Sequence, residues 1–268
     1  NNVSGNNNIF MGYESGKENI VGKNNLLVGY KSGTTNNADD NVFLGASSGE
    51  LNTLGKQNIF VGSDSGKQNR KGNYNCYIGY KSGYNSGYAS NYDADDNVFI
   101  GYESGYNSSS GQNVIIGSLA GYNNDTGMGN TYLGYSSGKN NRTGFKNINI
   151  GFNSGLNSTE GNENIFLGSE SGSNNEGNNN VCLGNKSGFS QLGSTSSNNI
   201  YLGIESGYYN KSGDNNVYIG INSGKNNQSG NNNIHLGTNS GESNLGSNNI
   251  FIGYQTGKNN TVANNNIN

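Results

Sequence analysis

The residues of this sequence that could do chemistry are few and widely separated. His235 is the only histidine, and the two cysteines, Cys76 and Cys182, lie in different parts of the chain. The sequence contains no His-based catalytic triad, no His-Glu-x-x-His or Cys-x-x-Cys motif, and no Gly-Lys-Ser/Thr phosphate loop. It therefore predicts a protein that is not an enzyme, with His235 a packed ring rather than a metal ligand.

One acidic cluster has the side chains of a calcium site. It comprises Asp93, Asp95 and Asp96, in the longest insertion of the chain near residues 84–96. Carboxylates gathered in a loop suit Ca²⁺. Solvated acids at the start of a strand explain the same residues, and we favour that interpretation over a weak calcium site. No other cofactor is expected.

Tyrosine rings are the second group of candidate binding residues. The candidates for a glycan-facing surface are Tyr84, Tyr88, Tyr92, Tyr106 and Tyr122. Planar rings beside the amides and hydroxyls of Asn, Gln and Ser suit stacking against a sugar. The same rings could instead fill space between neighbouring repeats, and the sequence does not separate these two interpretations.

Composition excludes several classes of partner. The net charge is −3, and basic residues form no cluster, so neither capture of nucleic acid nor binding to an anionic membrane surface is predicted. No apolar run approaches the length that crosses a bilayer, and no membrane insertion by this segment is expected. Only 29% of the residues are hydrophobic, and 45 are glycine, which is unusual for a mixed globular domain.

An internal repeat organises the whole chain. A glycine that we call the marker glycine recurs fifteen times, mostly at steps of 16 or 17 residues, and a second glycine always follows it four residues later. An asparagine stands four residues before every marker glycine. These asparagines are Asn8, Asn25, Asn41, Asn58, Asn75, Asn97, Asn113, Asn130, Asn147, Asn164, Asn180, Asn199, Asn216, Asn233 and Asn249.

Three residues between each asparagine and its marker glycine predict a short strand. The first and third are aliphatic in nearly every copy, and alternation of this kind is typical of a strand. The middle residue is aromatic in ten copies: Phe10, Phe43, Phe60, Tyr77, Phe99, Tyr132, Phe166, Tyr201, Tyr218 and Phe251. We expect the aliphatic residues to fill the interior, and the aromatic residues to face outward and to pack against other copies of the chain.

These elements predict an all-β fold, a repetitive parallel β-roll or β-solenoid of about fifteen coils. Each coil stacks on the next at about 4.8 Å, and asparagines at one fixed place form a ladder of side-chain amides. A serine stands three residues after the marker glycine in thirteen copies, which predicts a crowded position that faces inward. Residues 1–268 are expected to form a single repeat array within a longer fibre.

The phrase N-[IV]-[FY]-[ILV]-G-x-x-S-G, as at residues 216–224, resembles two related groups of repeats. One is the YadA-like head of trimeric autotransporter adhesins, and the other is found in phage and viral tail-fibre proteins. The resemblance covers essentially the whole chain and implies a left-handed, homotrimeric roll on an extracellular fibre that binds a host. The repeats here are longer than those common in YadA-like heads, and they carry aromatic residues where those heads often carry alanine.

The function expected from these features is that of a structural and adhesive fibre on a cell or virion surface. It would provide reach and stiffness and would bind a host receptor, a glycan or matrix. The alternative is a single-chain β-solenoid that works through one regular face, as a glycan-binding, ice-binding or self-assembling filament protein. In the trimeric case three copies of His235 would meet near the axis, which leaves an axial ion as a second interpretation of that residue.

Overall fold

The computed structural model describes residues 3–88, 94–190, 193–261 and 264–268. Fifteen strands of three residues each lie in these ranges, and the described residues contain no helix. Every strand coincides with a triplet between a repeated asparagine and its marker glycine. The predicted all-β solenoid is therefore confirmed, with one strand in each coil of about 17 residues.

The chain divides into two compact units, Asn1–Leu133 and Gly134–Asn268. The first unit contains β1 (Ile9–Met11), β2 (Leu26–Val28), β3 (Val42–Leu44), β4 (Ile59–Val61), β5 (Cys76–Ile78), β6 (Val98–Ile100), β7 (Val114–Ile116) and β8 (Thr131–Leu133). The second contains β9 (Ile148–Ile150), β10 (Ile165–Leu167), β11 (Val181–Leu183), β12 (Ile200–Leu202), β13 (Val217–Ile219), β14 (Ile234–Leu236) and β15 (Ile250–Ile252).

Each strand pairs in parallel with the next strand along the chain of its unit. The register places like residues beside like, so that Val42 pairs with Ile59, Phe43 with Phe60 and Leu44 with Val61. The same register holds from β1 to β8 and from β9 to β15. A bridge from Ile250 to Ile267 adds a sixteenth copy at the position that the repeat period predicts.

The expected direction of the strand side chains is wrong. The middle residues lie inside the coil, and nine of the ten aromatic ones are fully buried within the single chain, while Phe10 in β1 is partly buried. The nine are Phe43, Phe60, Tyr77, Phe99, Tyr132, Phe166, Tyr201, Tyr218 and Phe251. The first and third residues point outward, as Ile59 and Ile78 do. The aromatic residues are therefore the core of each coil and cannot be its contact surface with other chains.

The two repeated glycines explain this orientation. A Cβ on the second glycine of a copy, Gly66, would lie 2.5 Å from the ring of Phe60, so the ring occupies the space that this glycine leaves. A Cβ on the marker glycine Gly45 would lie 2.5 Å from the carbonyl oxygen of Gly62 in the next coil. Marker glycines also have φ between 127° and 140°, where other residues are strained. A coil this narrow has room for one large side chain, and the middle residue is the one that points inward.

The corners of the coil also require left-handed backbone at residues other than glycine. Two such positions recur: two residues after the marker glycine, as at Lys31 with φ 55°, and immediately before the ladder asparagine, as at Asp40 with φ 61°. The N–H groups of both residues donate to carbonyl groups of the preceding coil, at 2.8 and 2.9 Å. The unfavourable conformation, about 1 kcal/mol per residue, is thus offset by hydrogen bonds that join the coils.

Candidate functional site

The predicted asparagine ladder runs through each unit. The main-chain N–H and the Nδ2 of Asn58 both donate to Oδ1 of Asn41 in the preceding coil, at 3.0 and 3.2 Å. Nδ2 of Asn58 also donates to the carbonyl oxygen of Gly72, 14 residues further along the chain, at 2.8 Å. Oδ1 of Asn58 accepts the N–H of Asn75 at 3.0 Å. Each side chain therefore binds the coils on both of its sides.

The main-chain bond to Oδ1 of the preceding ladder asparagine recurs along both units. In the first unit it links Asn8, Asn25, Asn41, Asn58, Asn75, Asn97, Asn113 and Asn130. In the second it links Asn147, Asn164, Asn180, Asn199, Asn216, Asn233, Asn249 and Asn266. From Asn25 to Asn249 these side chains are buried, and their amide groups are engaged in the ladder. The ladder is a structural element in both units.

A second row of buried polar residues was not predicted. It lies three residues after the second glycine of a copy, and in thirteen of the fifteen copies it is a buried asparagine or serine: Asn19, Asn36, Asn52, Asn69, Ser86, Ser108, Asn124, Asn141, Ser158, Asn175, Asn210, Asn227 and Asn244. Oδ1 of Asn227 accepts the N–H of Gly230 at 2.7 Å, which closes the local turn. The sequence signal was present, since this position is Asn or Ser in nearly every copy.

The second row also provides partners for the polar tips of core rings. Nδ2 of Asn227 donates to the hydroxyl oxygen of Tyr218 at 2.6 Å, and the hydroxyls of Tyr77 and Ser86 lie 2.6 Å apart. Asn210 donates in the same way to the hydroxyl of Tyr201. The apolar part of each of these tyrosine rings thus lies between neighbouring coils, and its hydroxyl group is hydrogen-bonded. Burial raises the pKa of Tyr218 well above its usual value, so the hydroxyl stays protonated.

The buried middle residues of successive strands form a column, which we call the core column, and His235 belongs to it. Its ring stacks between those of Tyr218 and Phe251, with centroid distances of 4.6 and 5.2 Å, and Nε2 lies 3.3 Å from Nδ2 of Asn244. Burial lowers the pKa of His235 to about 3. The prediction of a packed ring is confirmed. Among the described residues no three His, Cys, Asp or Glu side chains lie close enough together to hold a metal ion.

The serine that follows the marker glycine by three residues links each coil to the next strand. Oγ of Ser65 donates to the carbonyl oxygen of Tyr77 at 3.1 Å, and Oγ of Ser206 donates to that of Tyr218 at 3.0 Å. Both serines are fully buried. The predicted inward-facing position is confirmed, and its hydroxyl satisfies the main-chain oxygen of the core residue in the next coil.

The tyrosines proposed to face a glycan stack on one another. The ring centroids of Tyr84 and Tyr106 lie 5.0 Å apart and those of Tyr106 and Tyr122 lie 4.9 Å apart, with interplanar angles of 2° and 9°. Each of these contacts covers a ring face that a sugar would need. Tyr88 is exposed, with the Arg70 guanidinium 5.0 Å from its ring centroid, whereas Tyr92 lies outside the described residues. Of the two interpretations, the geometry favours rings that fill space between coils.

The acidic residues of the longest insertion have structural partners. Oδ1 of Asp95 accepts the N–H of Asn73 in the preceding coil at 2.6 Å and lies 3.3 Å from Nδ2 of the same residue. Asp96 has a φ of 59° and lies at the corner before Asn97. Asp93 lies outside the described residues. Both described aspartates, Asp95 and Asp96, therefore fit the interpretation of this cluster as acids at the start of a strand.

The outward surface of the sheet carries three rows of uncharged side chains. We call this surface the outer face: it consists of the first and third residues of every strand and of the residue that follows each marker glycine. Its exposed members in the first unit are Ile9, Met11, Tyr13, Tyr30, Ile59, Ile78, Tyr80, Tyr102, Val114 and Leu133. Those in the second are Tyr135, Ile148, Phe152, Ile165, Leu167, Ile200, Ile204, Ile219, Ile221, Ile234, Ile252 and Tyr254.

The described residues form no helix long and apolar enough to span a bilayer. The chain matches no protein-family model, and no curated protein matches it. The ladders, the core column and the outer face are therefore the features from which its function has to be inferred.

Proposed function

We propose that this chain is a non-enzymatic structural segment of a surface fibre, and that it provides reach and stiffness. The observation that carries the proposal is that the repeated polar side chains hold the coils together. The ladder asparagines, the second row and the inward serines are hydrogen-bonded mainly within and between coils. A chain that repeats one bonded coil in this way is suited to bearing load.

The energetics of the ladder support a mechanical role. Each rung adds several hydrogen bonds between buried groups, and a typical bond of this kind contributes about 1 kcal/mol net. Because the rungs recur in every coil of a unit, opening one coil requires breaking bonds to both of its neighbours. Such a stack resists local opening although its apolar core is only one side chain wide.

The adhesive part of the proposal comes from the sequence resemblance. It includes an extracellular location on a cell or virion, a left-handed homotrimer, and binding of a host receptor, glycan or matrix. The stacked tyrosines do not favour a sugar-binding platform at Tyr84, Tyr106 and Tyr122. A receptor contact on the described residues is therefore better sought at ring edges and polar rims, where Tyr88 and Arg70 lie together.

The alternative function, a single-chain solenoid that acts through one regular face, is favoured by one observation. The strand positions of the outer face are aliphatic in nearly every coil of each unit, and a filament-forming or ligand-ordering surface requires this kind of regularity. Its strand positions are mainly aliphatic and the third row is mixed, and neither forms the flat threonine rows that would suit ice binding.

Two measurements test the proposal. Deletion of one whole coil, residues 58–74, joins equivalent positions of neighbouring repeats. If the chain is a modular shaft, the shortened protein should keep a β-type circular dichroism spectrum, and the main-chain amides of its ladder asparagines should stay protected from hydrogen exchange. Loss of both signals would contradict a modular shaft. A screen of the intact chain against immobilised glycans and matrix proteins tests the adhesive part. Absence of binding at micromolar concentration would remove adhesion from the proposal and leave the shaft.

A further inference from the structure

We propose that the outer face is the surface on which this chain packs against further copies of itself. The inference rests on the proposed homo-oligomeric fibre, and it assigns the contact to a surface different from the one that the sequence pattern suggested. The buried aromatic column cannot mediate the contact, because its rings already fill the coil. The aliphatic residues on either side of each ring remain on the outside.

Exposure along the outer face is high for side chains of this type. In strands away from the ends of the array, Ile59 is 45% exposed, Leu167 41% and Ile200 40%, and the third row beside them includes Tyr30 at 52%. Along the stack, neighbouring members of the third row contact one another, as in the pair Tyr80 and Tyr102 with centroids 5.7 Å apart. The aliphatic residues of the strands form an apolar strip along each unit. The third row adds rings or aliphatic side chains to this strip except at Ala46, Ser63 and Ser118 in the first unit and at Ser169, Asn185 and Thr238 in the second.

The residues that make up the outer face are uncharged, and charge approaches it only from neighbouring positions, as where the ammonium groups of Lys31 and Lys81 lie 5.4 and 5.1 Å from the ring centroids of Tyr30 and Tyr80. Fifteen copies with three positions each make 45 positions, and none holds Asp, Glu, Lys or Arg. The 15 basic and 18 acidic residues all lie at other positions of the repeat. At the overall charged fraction of 12%, about five charges would fall on these rows by chance, and depletion of this kind is typical of interface cores.

The area of the outer face is sufficient for a stable interface. The ten exposed members in the first unit alone present roughly 1,000 Å², compared with about 800 Å² per partner in a standard interface. This area includes the tyrosine hydroxyls and lies along the eight strands of the unit, so a partner must follow the stack to cover it. Covering it removes aliphatic and aromatic surface from water, which favours association.

The periodicity of the outer face identifies another copy as the partner. Side chains recur along each row at the strand spacing of about 4.8 Å, so a complementary surface must have the same repeat over many coils. A second copy of this chain meets that requirement at every coil, because its rows have the same spacing. A globular partner or a flexible ligand matches it only locally. Sheets that pack face to face in this way lie about 10 Å apart.

The test compares charged variants of the outer face with matched controls. In the double variant Ile59→Lys/Ile165→Lys, one lysine enters the outer face of each unit, at positions 45% and 39% exposed. The control Leu54→Lys/Leu245→Lys places lysines at apolar side chains of similar or greater exposure, 60% and 43%, outside the strands. Because all four side chains are at the surface, both variants should fold, and circular dichroism checks this.

Native mass spectrometry and sedimentation give the mass of each protein relative to the 28.3 kDa chain. We expect three chains for the wild type and the control, and one chain for the outer-face variant. A three-chain mass that persists in the outer-face variant overturns the assigned surface but leaves the homotrimer standing. If the wild type has the mass of two chains and the outer-face variant that of one, the outer face is supported as the contact surface and the threefold assembly is overturned. A wild type that stays a soluble single chain overturns both.

Discussion

The cores of the two units use the same coil with different side chains. In the first unit the rings of Phe43, Phe60, Tyr77 and Phe99 stack in an unbroken column, with neighbouring centroids 4.7 to 4.8 Å apart. The second unit has polar residues in the equivalent column: Asn149 in β9 and His235 in β14 are fully buried or nearly so. The backbone register and the ladder are the same in both. The polar ladders, which both units share, therefore define the coil, and the core residue adjusts its stability.

The second unit also contains two kinds of buried polar residue. His235 contacts Asn244 of the second row through Nε2 and is stacked on both sides, although its Nδ1 has no partner. Asn149 has no hydrogen-bond partner at Nδ2 or Oδ1, and neither does the Oγ of Ser158 in the second row. Unpaired polar atoms in a core are costly. The comparison therefore predicts that the coil of β9 is less stable than the aromatic coils of the first unit.

The largest expected effect comes from moving the polar core residue into the aromatic column. Phe60→Asn removes a fully buried ring stacked on both sides and buries an amide in its place, and we expect a loss of about 4 kcal/mol in local stability. Hydrogen exchange of the β4 coil and its neighbours measures this loss. Phe60→Tyr is the control, because its hydroxyl would point toward Asn69 as that of Tyr218 points toward Asn227. Unchanged protection in Phe60→Asn would show that the column contributes little.

The second effect is a dependence on pH that belongs to one coil. The folded pKa of His235, about 3, lies below the unfolded value near 6.5, so the unfolded state binds more protons between these values. The contribution of the neutral, buried His235 to the free energy of unfolding is fully present above pH 6.5. This contribution falls by about 1.4 kcal/mol per pH unit as the pH drops toward 3. Denaturant unfolding of the wild type and of His235→Phe between pH 7 and 4.5 checks this. Parallel curves for the two proteins would contradict a buried neutral histidine.

A smaller gain is expected from the reverse exchange. Asn149→Phe removes the unpaired amide and supplies the ring that most other coils carry, which should raise the local stability of the β9 coil by about 2 kcal/mol. Hydrogen exchange in β9 and β10 gives the measurement. If protection falls instead, the pocket around Asn149 is too small for a ring, and its side chain is matched to the site in spite of the unpaired atoms.

The smallest effect concerns a single hydroxyl. Tyr218→Phe removes the acceptor of the 2.6 Å bond from Nδ2 of Asn227 and should cost about 1 kcal/mol, because the buried amide loses its partner. The exposed Tyr102→Phe serves as the matched control, and no change is expected there. Thermal unfolding of the two variants side by side provides the comparison. Equal melting temperatures would mean that another group replaces the lost acceptor.

The repeat period allowed the strands and the ladder to be predicted residue by residue, because Asn, three alternating residues and Gly have few other structural solutions. The inward and outward sides could not be derived from that alternation. A pattern such as Ile59, Phe60, Val61 defines two faces but does not say which one the chain encloses. The clue lay elsewhere in the copy, in the second glycine, Gly66, over which the ring lies, and in Asn69 at the position that the ring tip approaches.

The candidate site was harder to predict for a related reason. Tyr84, Tyr106 and Tyr122 are far apart in sequence but occupy one position of the repeat, so they stack on each other and cover the faces proposed for a sugar. The acidic pair at Asp95 and Asp96 has the side chains of a cation site, yet Asp95 accepts hydrogen bonds from the coil before it. In a stacked array, the neighbours of a residue are its equivalents one repeat away, and local composition does not show them.

The ladder also tolerates repeats of unequal length. Asn75 and Asn97 are separated by 22 residues and Asn180 and Asn199 by 19, yet their rungs measure 2.9 and 3.0 Å, the same as rungs across 16 or 17 residues. In both cases the added residues lie between the second glycine of one copy and the ladder asparagine of the next. This corner is therefore the place where foreign peptides can be displayed and new binding loops can arise, while the scaffold beneath them stays unaltered.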